Sequence, residues 1–156
     1  MSLFNRQKTI EVNRLSGNIL EVTAHMKDNF HEIKTIIEFD NDSKTIIDAR
    51  AEMITVPFDL CLEVSTMMKG LTGLRLEKGV RRSIQEVIGG RQGCSHLYDL
   101  TMDSMNALVQ ASGFCLLPTE MPFDEKMEII KKLNKGICHT YSNLDRNPRY
   151  IGYDNL

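Results

Sequence analysis

From Lys8 to Met53 apolar residues recur at every second position. Ile10 and Val12 come first, then Leu20, Val22, Ala24 and Met26, with Glu21, Thr23, His25 and Lys27 on the opposite parity. This alternation predicts half-buried strands. Ser16-Gly17-Asn18 supplies a turn between the first two, and Asp40-Asn41-Asp42-Ser43 turns the third strand (Ile33, Thr35, Ile37, Phe39) into a fourth (Ile47, Ala49, Ala51, Met53). Connections this short leave no room for crossover helices, so the strands are expected to form an antiparallel meander with one face to be covered by later chain.

Near Pro57 the period changes to that of a helix. Pro57 and Asp59 mark a start, and Leu60, Val64, Met67, Met68 and Leu71 follow at helical spacing, with Cys61 in the first turn. Val80, Ile84, Val87 and Ile88 predict a second helix ended by Gly89-Gly90. A third, capped by Ser95, turns Leu97, Thr101, Met105 and Leu108 inward and Asp99, Asp103, Asn106 and Gln110 outward, and Gly113 is expected to end it. A fourth, capped by Asp124, carries Met127, Ile130 and Leu133 to Gly136. Ile137 to Tyr141 is expected to be a short last strand, and Asn143 to Leu156 a loose polar tail. Strands first and helices after predict an α+β fold, an N-terminal antiparallel β-meander with C-terminal helices packed on one face, forming a single domain over residues 1–142.

The chain has 156 residues and is 42% hydrophobic, enough for one core and short for two. Nineteen basic and twenty-one acidic residues are interspersed, which points away from nucleic acid and from a membrane surface as partner. No apolar run approaches the roughly 18 residues of a membrane span, and no signal-like segment opens the chain, so a cytoplasmic location is expected. There the four cysteines, Cys61, Cys94, Cys115 and Cys138, are expected as packed, catalytic or metal-bound thiols rather than disulfides.

Candidate chemistry gathers in Gly89-Gly90-Arg91-Gln92-Gly93-Cys94-Ser95-His96-Leu97, where three glycines, a thiol and an imidazole lie between two helical patterns. Cys94 stands at the positive end of the third helix, where a thiolate is favoured. Cys61 heads another helix, and helix starts facing one end of the sheet would let the two thiols meet. His31 shares parity with Ile33 and Ile37. Cys138 and His139 are neighbours that cannot both reach one site from an extended segment, and Cys138 is preferred. Cys115 in Phe114-Cys115-Leu116-Leu117 is assigned to packing, His25 to the solvent side of a strand, and Arg81, Arg82 and Arg91 to a solvated surface. No compact Cys-x-x-Cys zinc signature, phosphate loop or dinucleotide fingerprint is present.

Pro57-Phe58-Asp59-Leu60-Cys61, Gly70-Leu71-Thr72-Gly73-Leu74 and the glycine, cysteine and histidine run together resemble a family of uncharacterised bacterial proteins filed as a domain of unknown function. The resemblance spans Arg6 to Gln110, with Ser95 where the family has threonine. It also implies that His31 matches a family histidine at the start of the third strand and Cys138 a cysteine toward the C-terminal end. A more distant likeness in element order is to iron–sulfur scaffold proteins: a meander with Asp48-Ala49-Arg50-Ala51-Glu52, then Cys61, then Cys94 and His96 heading a later helix. The cysteine spacing and the order of Cys94 before His96 depart from that pattern. The expected site is therefore a zinc or iron–sulfur centre held by Cys61, Cys94 and His96 and completed by Cys138 or His31. Two alternatives stand beside it. One is an enzyme with Cys94 as nucleophile and His96 or His31 as its base, and the other a small-ligand binder or accessory subunit with a protein partner or a second copy of itself.

Overall fold

The computed structural model describes residues 1–114, 116–118 and 120–146. Cys115 and the tail from Asn147 onward lie outside the described residues. The chain forms two compact units, Met1–Ala111 and Ser112–Leu156.

The first unit opens with β1 (Arg6–Ser16), β2 (Ile19–Asp28), β3 (Glu32–Asp40) and β4 (Thr45–Thr55), antiparallel and in sheet order β1-β2-β3-β4. The expected meander is therefore present. Leu20, Val22, Ala24 and Met26 of β2 and Ile33, Thr35, Ile37 and Phe39 of β3 are fully or almost fully buried on one face. β4 departs from the alternation expected of it. A bulge between the Glu38 and Phe39 pairings skips Ile47, so Ile46 faces Phe39 and is buried while Ile47 is 41% exposed. One extra residue reverses the parity on one side of a bulge.

After the sheet the first unit continues through α1 (Leu60–Glu63), which tightens into a 3₁₀ helix (Val64–Leu71), then α2 (Val80–Ile88), a 3₁₀ turn (Gly90–Gln92) and the first part of α3 (Ser95–Phe114). The expected inward residues Leu97, Thr101, Met105 and Leu108 of α3 are buried, as are Met68, Leu71, Ile84 and Ile88. The molecule is thus α+β, a four-stranded antiparallel sheet followed by helices. Thr35 stands out in this core. It is fully buried between Ala24 and Ala51 on the neighbouring strands, and among the described residues its hydroxyl has no hydrogen-bond partner. Burying an unpaired hydroxyl costs on the order of 1–3 kcal/mol. The near-isosteric Thr35→Val is therefore expected to stabilise the protein by about 1 kcal/mol, read as a higher urea midpoint at unchanged slope; a lower midpoint would mean that the hydroxyl is satisfied in solution.

The second unit holds α4 (Phe123–Asn134), α5 (His139–Ser142) and a 3₁₀ turn (Leu144–Arg146). Several expectations are corrected here. α3 runs through Gly113 to Phe114. Asp124 lies in the first turn of α4 rather than at its cap, which is Pro122. Met127 and Ile130 are buried, but Leu133 is 55% exposed. The segment expected as a last strand instead holds α5, with the Ser142 amide donating to the Cys138 carbonyl.

Candidate functional site

The glycine run closes a tight loop between α2 and α3. The Cys94 amide donates to the Ile88 carbonyl at 2.8 Å, so the chain leaving α2 returns to its own end six residues later. Gly90 sits at φ 70°, left-handed space that glycine enters freely. Gly93 is needed for another reason: a Cβ there would overlap the Ile88 carbonyl and stand 2.5 Å from the Gly89 carbonyl oxygen. Tyr98 donates its amide to the Cys94 carbonyl, which makes Cys94 the cap and Ser95 the first helical residue, not the cap expected of it. The loop thereby fixes where α3 begins, and His96 lies in its first turn.

α3 presents His96, Asp99 and Asp103 on one side, at the i, i+3, i+7 spacing of a single helical face. Edge strand β1 offers Arg6 and Lys8, two residues apart and so on the same face. The two periods mesh. Lys8 Nζ donates to Asp99 and, at 2.8 Å, to Asp103. Burial alone would lower the Lys8 pKa, but the carboxylates of Asp103 and Asp99 more than offset it and hold the ammonium above its usual value. Asp99 and Asp103, expected on the narrow polar side of α3, are its tie to β1.

One step toward the strand's start, Arg6 pairs in register with Asp28, the last residue of β2. The Asp28 side chain has no exposed surface. Its Oδ1 accepts from the Phe30 and His31 amides, each at 2.8 Å, and from His31 Nδ1 at 3.2 Å. Its Oδ2 accepts from Arg6 Nε at 2.9 Å and Nη2 at 2.7 Å. Burial would raise this carboxyl's pKa, but the Phe30 amide, the Arg6 guanidinium and His31 together hold it far below the usual carboxylate range. Asp28 is therefore an anion throughout the physiological range.

Arg6 Nη2 also reaches His96 Nε2 at 3.1 Å. A guanidinium only donates, so His96 Nε2 is the acceptor and its imidazole is neutral. Burial, then the charges of His31 and Arg6, push the His96 pKa below its usual value, in keeping with that role. The His31 and His96 rings lie 4.2 Å apart, centroid to centroid, tilted by 49°. Because His31 Nδ1 engages the anionic Asp28, its Nε2 is left for another partner. Asp28, His31 and His96 each place one donor atom within 4.8 Å of the others, the one such group of three or more among the described residues.

Of the residues expected to share a site, the structure brings His31 and His96 together, and Asp28 stands with them. Cys61, in α1, and Cys94 are both half-buried free thiols outside that group. Cys138, in the second unit, precedes α5, where the Tyr141 and Thr140 amides hold its thiol below its usual pKa. His25 lies on the outer sheet face against Glu32 at 3.2 Å. Sequence reasoning missed Arg6 and Asp28. For Asp28 a signal existed: Asp28-Asn29-Phe30-His31 has an aspartate placed to bond amides two and three residues on, the mark of an Asx turn.

No helix of the described residues is long and apolar enough to cross a membrane. No curated protein and no solved structure matches the chain. Residues 4–110 match a family described as "Protein of unknown function (DUF2889)", a span that includes Arg6, Asp28, His31, Cys61, Cys94 and His96. With about two thirds of its length matched, the chain belongs to that family of proteins of unknown function.

Proposed function

We propose that the first unit binds a divalent transition-metal ion of the zinc class through His31, His96 and Asp28. The observation that carries this reading is the convergence of two imidazoles and one buried carboxylate, from the β2–β3 turn and the start of α3, within 4.8 Å. Donor atoms sharing a zinc ion at about 2.1 Å lie no more than about 4.2 Å apart. The cluster thus needs to close by an ångström or so, within the reach of side-chain rotation. Two nitrogens and an oxygen suit a borderline divalent ion, whereas an iron–sulfur cluster calls for thiolates. Three protein donors leave a coordination position for water or an organic ligand, the arrangement of a Lewis-acid site.

Zinc titration of the purified chain against a chromophoric chelator tests this. One ion per chain is expected, and at free zinc one hundred times the Kd about 2.7 kcal/mol of added stability, read as a higher melting temperature. His31→Ala and His96→Ala should abolish both effects, while Cys61→Ser and Cys94→Ser leave them intact. The thiolate set of Cys61, Cys94 and His96, with zinc or an iron–sulfur cluster, predicts the reverse for the cysteine variants. Iron with acid-labile sulfide in anaerobically purified protein would replace the histidine and aspartate reading with that one.

A further inference from the structure

The geometry points to Arg6 as a displaceable internal cation, one that competes with the metal ion for Asp28 Oδ2 and His96 Nε2 and thereby sets the affinity of the site. This inference rests on the metal reading above. Oδ1 of Asp28 is committed to the turn, receiving both amides and His31 Nδ1. The oxygen left for a cation is Oδ2, and Arg6 holds it with two nitrogens. The same guanidinium donates to the lone pair of His96. Arg6 thus occupies two of the three donor atoms a metal ion would use. A dication and a guanidinium cannot share them, because like charges at such separations repel strongly in a partly buried site.

The placement of Arg6 makes exchange feasible. It is the first residue of an edge strand, and its side chain is 31% exposed. Swinging outward would unpair nothing of the ladder beyond its terminal Arg6 and Asp28 pair. Phe4, whose ring centroid is 5.3 Å from the guanidinium carbon, already stacks on Arg6 as a cation–π partner and is itself 50% exposed, so the pair lies at the rim of the site. Lys8 keeps β1 docked on α3 through Asp99 and Asp103 whichever way Arg6 points.

Zinc chloride, titrated against a chromophoric chelator, is the probe. Arg6→Met keeps the apolar stem and removes the competitor, and is expected to tighten zinc binding by at least about tenfold. Arg6→Lys, a cation that cannot span both acceptors, should fall between wild type and Arg6→Met, and it serves alone if the methionine variant fails to fold. Adding His96→Ala to Arg6→Met should remove the gain, which ties it to the same site. Wild type binding one zinc through His31 and His96, with the Arg6 variants equal or weaker, overturns the competition and leaves the metal site standing. Absence of zinc binding from wild type and Arg6 variants alike overturns both.

Discussion

Gly93→Ala is expected to destabilise the protein by about 3 kcal/mol, near the upper end for a forced steric insertion. The clash is with the backbone: the new Cβ meets the Ile88 carbonyl and, at 2.5 Å, the Gly89 oxygen, and neither can rotate away as a side chain could. Relief requires breaking the 2.8 Å bond from the Cys94 amide to Ile88, which sets the first turn of α3. Gly90→Ala is the matched comparison in the same loop. It has nothing within 4 Å of the added methyl but pays for a φ of 70°, which should cost about 1–2 kcal/mol. Denaturant melts of the two variants separate close approach from backbone conformation. Equal losses would mean that the loop opens freely and that Gly93 is not what fixes His96.

Asp28→Ala should be comparably severe, with a loss of about 3 kcal/mol, since a buried anion accepting several charge-assisted and backbone bonds leaves every donor orphaned when it goes. Its pH signature distinguishes it. The carboxyl pKa is depressed in the folded chain, so the stabilisation is complete above the unfolded value of about 3.9 and is lost as pH falls from there toward the lower folded value. Urea midpoints measured with a chelator present should therefore drop steeply below about pH 4 in the wild type. In Asp28→Asn that part of the slope should vanish. An unchanged acid slope in Asp28→Asn would assign the acid transition to other carboxylates, such as Asp40 or Glu32, whose pKa values are also lowered.

Much of the sheet is legible because a half-buried strand must alternate, and Leu20 to Met26 does so without interruption and Ile33 to Phe39 with the single exception of Ile36. The bulge at Ile47 is not legible, since Ile46 and Ile47 are equally apolar and the choice between them is made by pairing with Phe39. The third helix reads correctly because its inward residues keep helical spacing for three turns. Its end does not, because a glycine inside a helix costs only about 1 kcal/mol, which packing can override. Half of the candidate cluster, His31 and His96, is visible as residue types that can ligate. Arg6 is an ordinary surface type in a sequence, and only the β1–β2 register and the docking of α3 give it a role, while Asp28 is legible only as the start of an Asx turn. The glycine run drew attention to its thiol, yet its glycines answer to the closure of a loop that aims the imidazole two residues on.

The contacts that complete the cluster join residues far apart in the chain, 90 for Arg6 with His96 and 91 and 95 for Lys8 with Asp99 and Asp103. The strand pairings, by contrast, close through turns of a few residues. Short loops close with little entropy loss and quickly, while long ones wait until other structure has shortened them. The meander can thus zip up while α3 is still unformed, leaving Arg6 and Lys8 bare along an open edge. Only when α3 docks do the second imidazole and the two acidic partners arrive together. The ligand set is consequently a late event in assembly, and any excursion that lifts α3 from β1 dismantles it while the sheet stays whole.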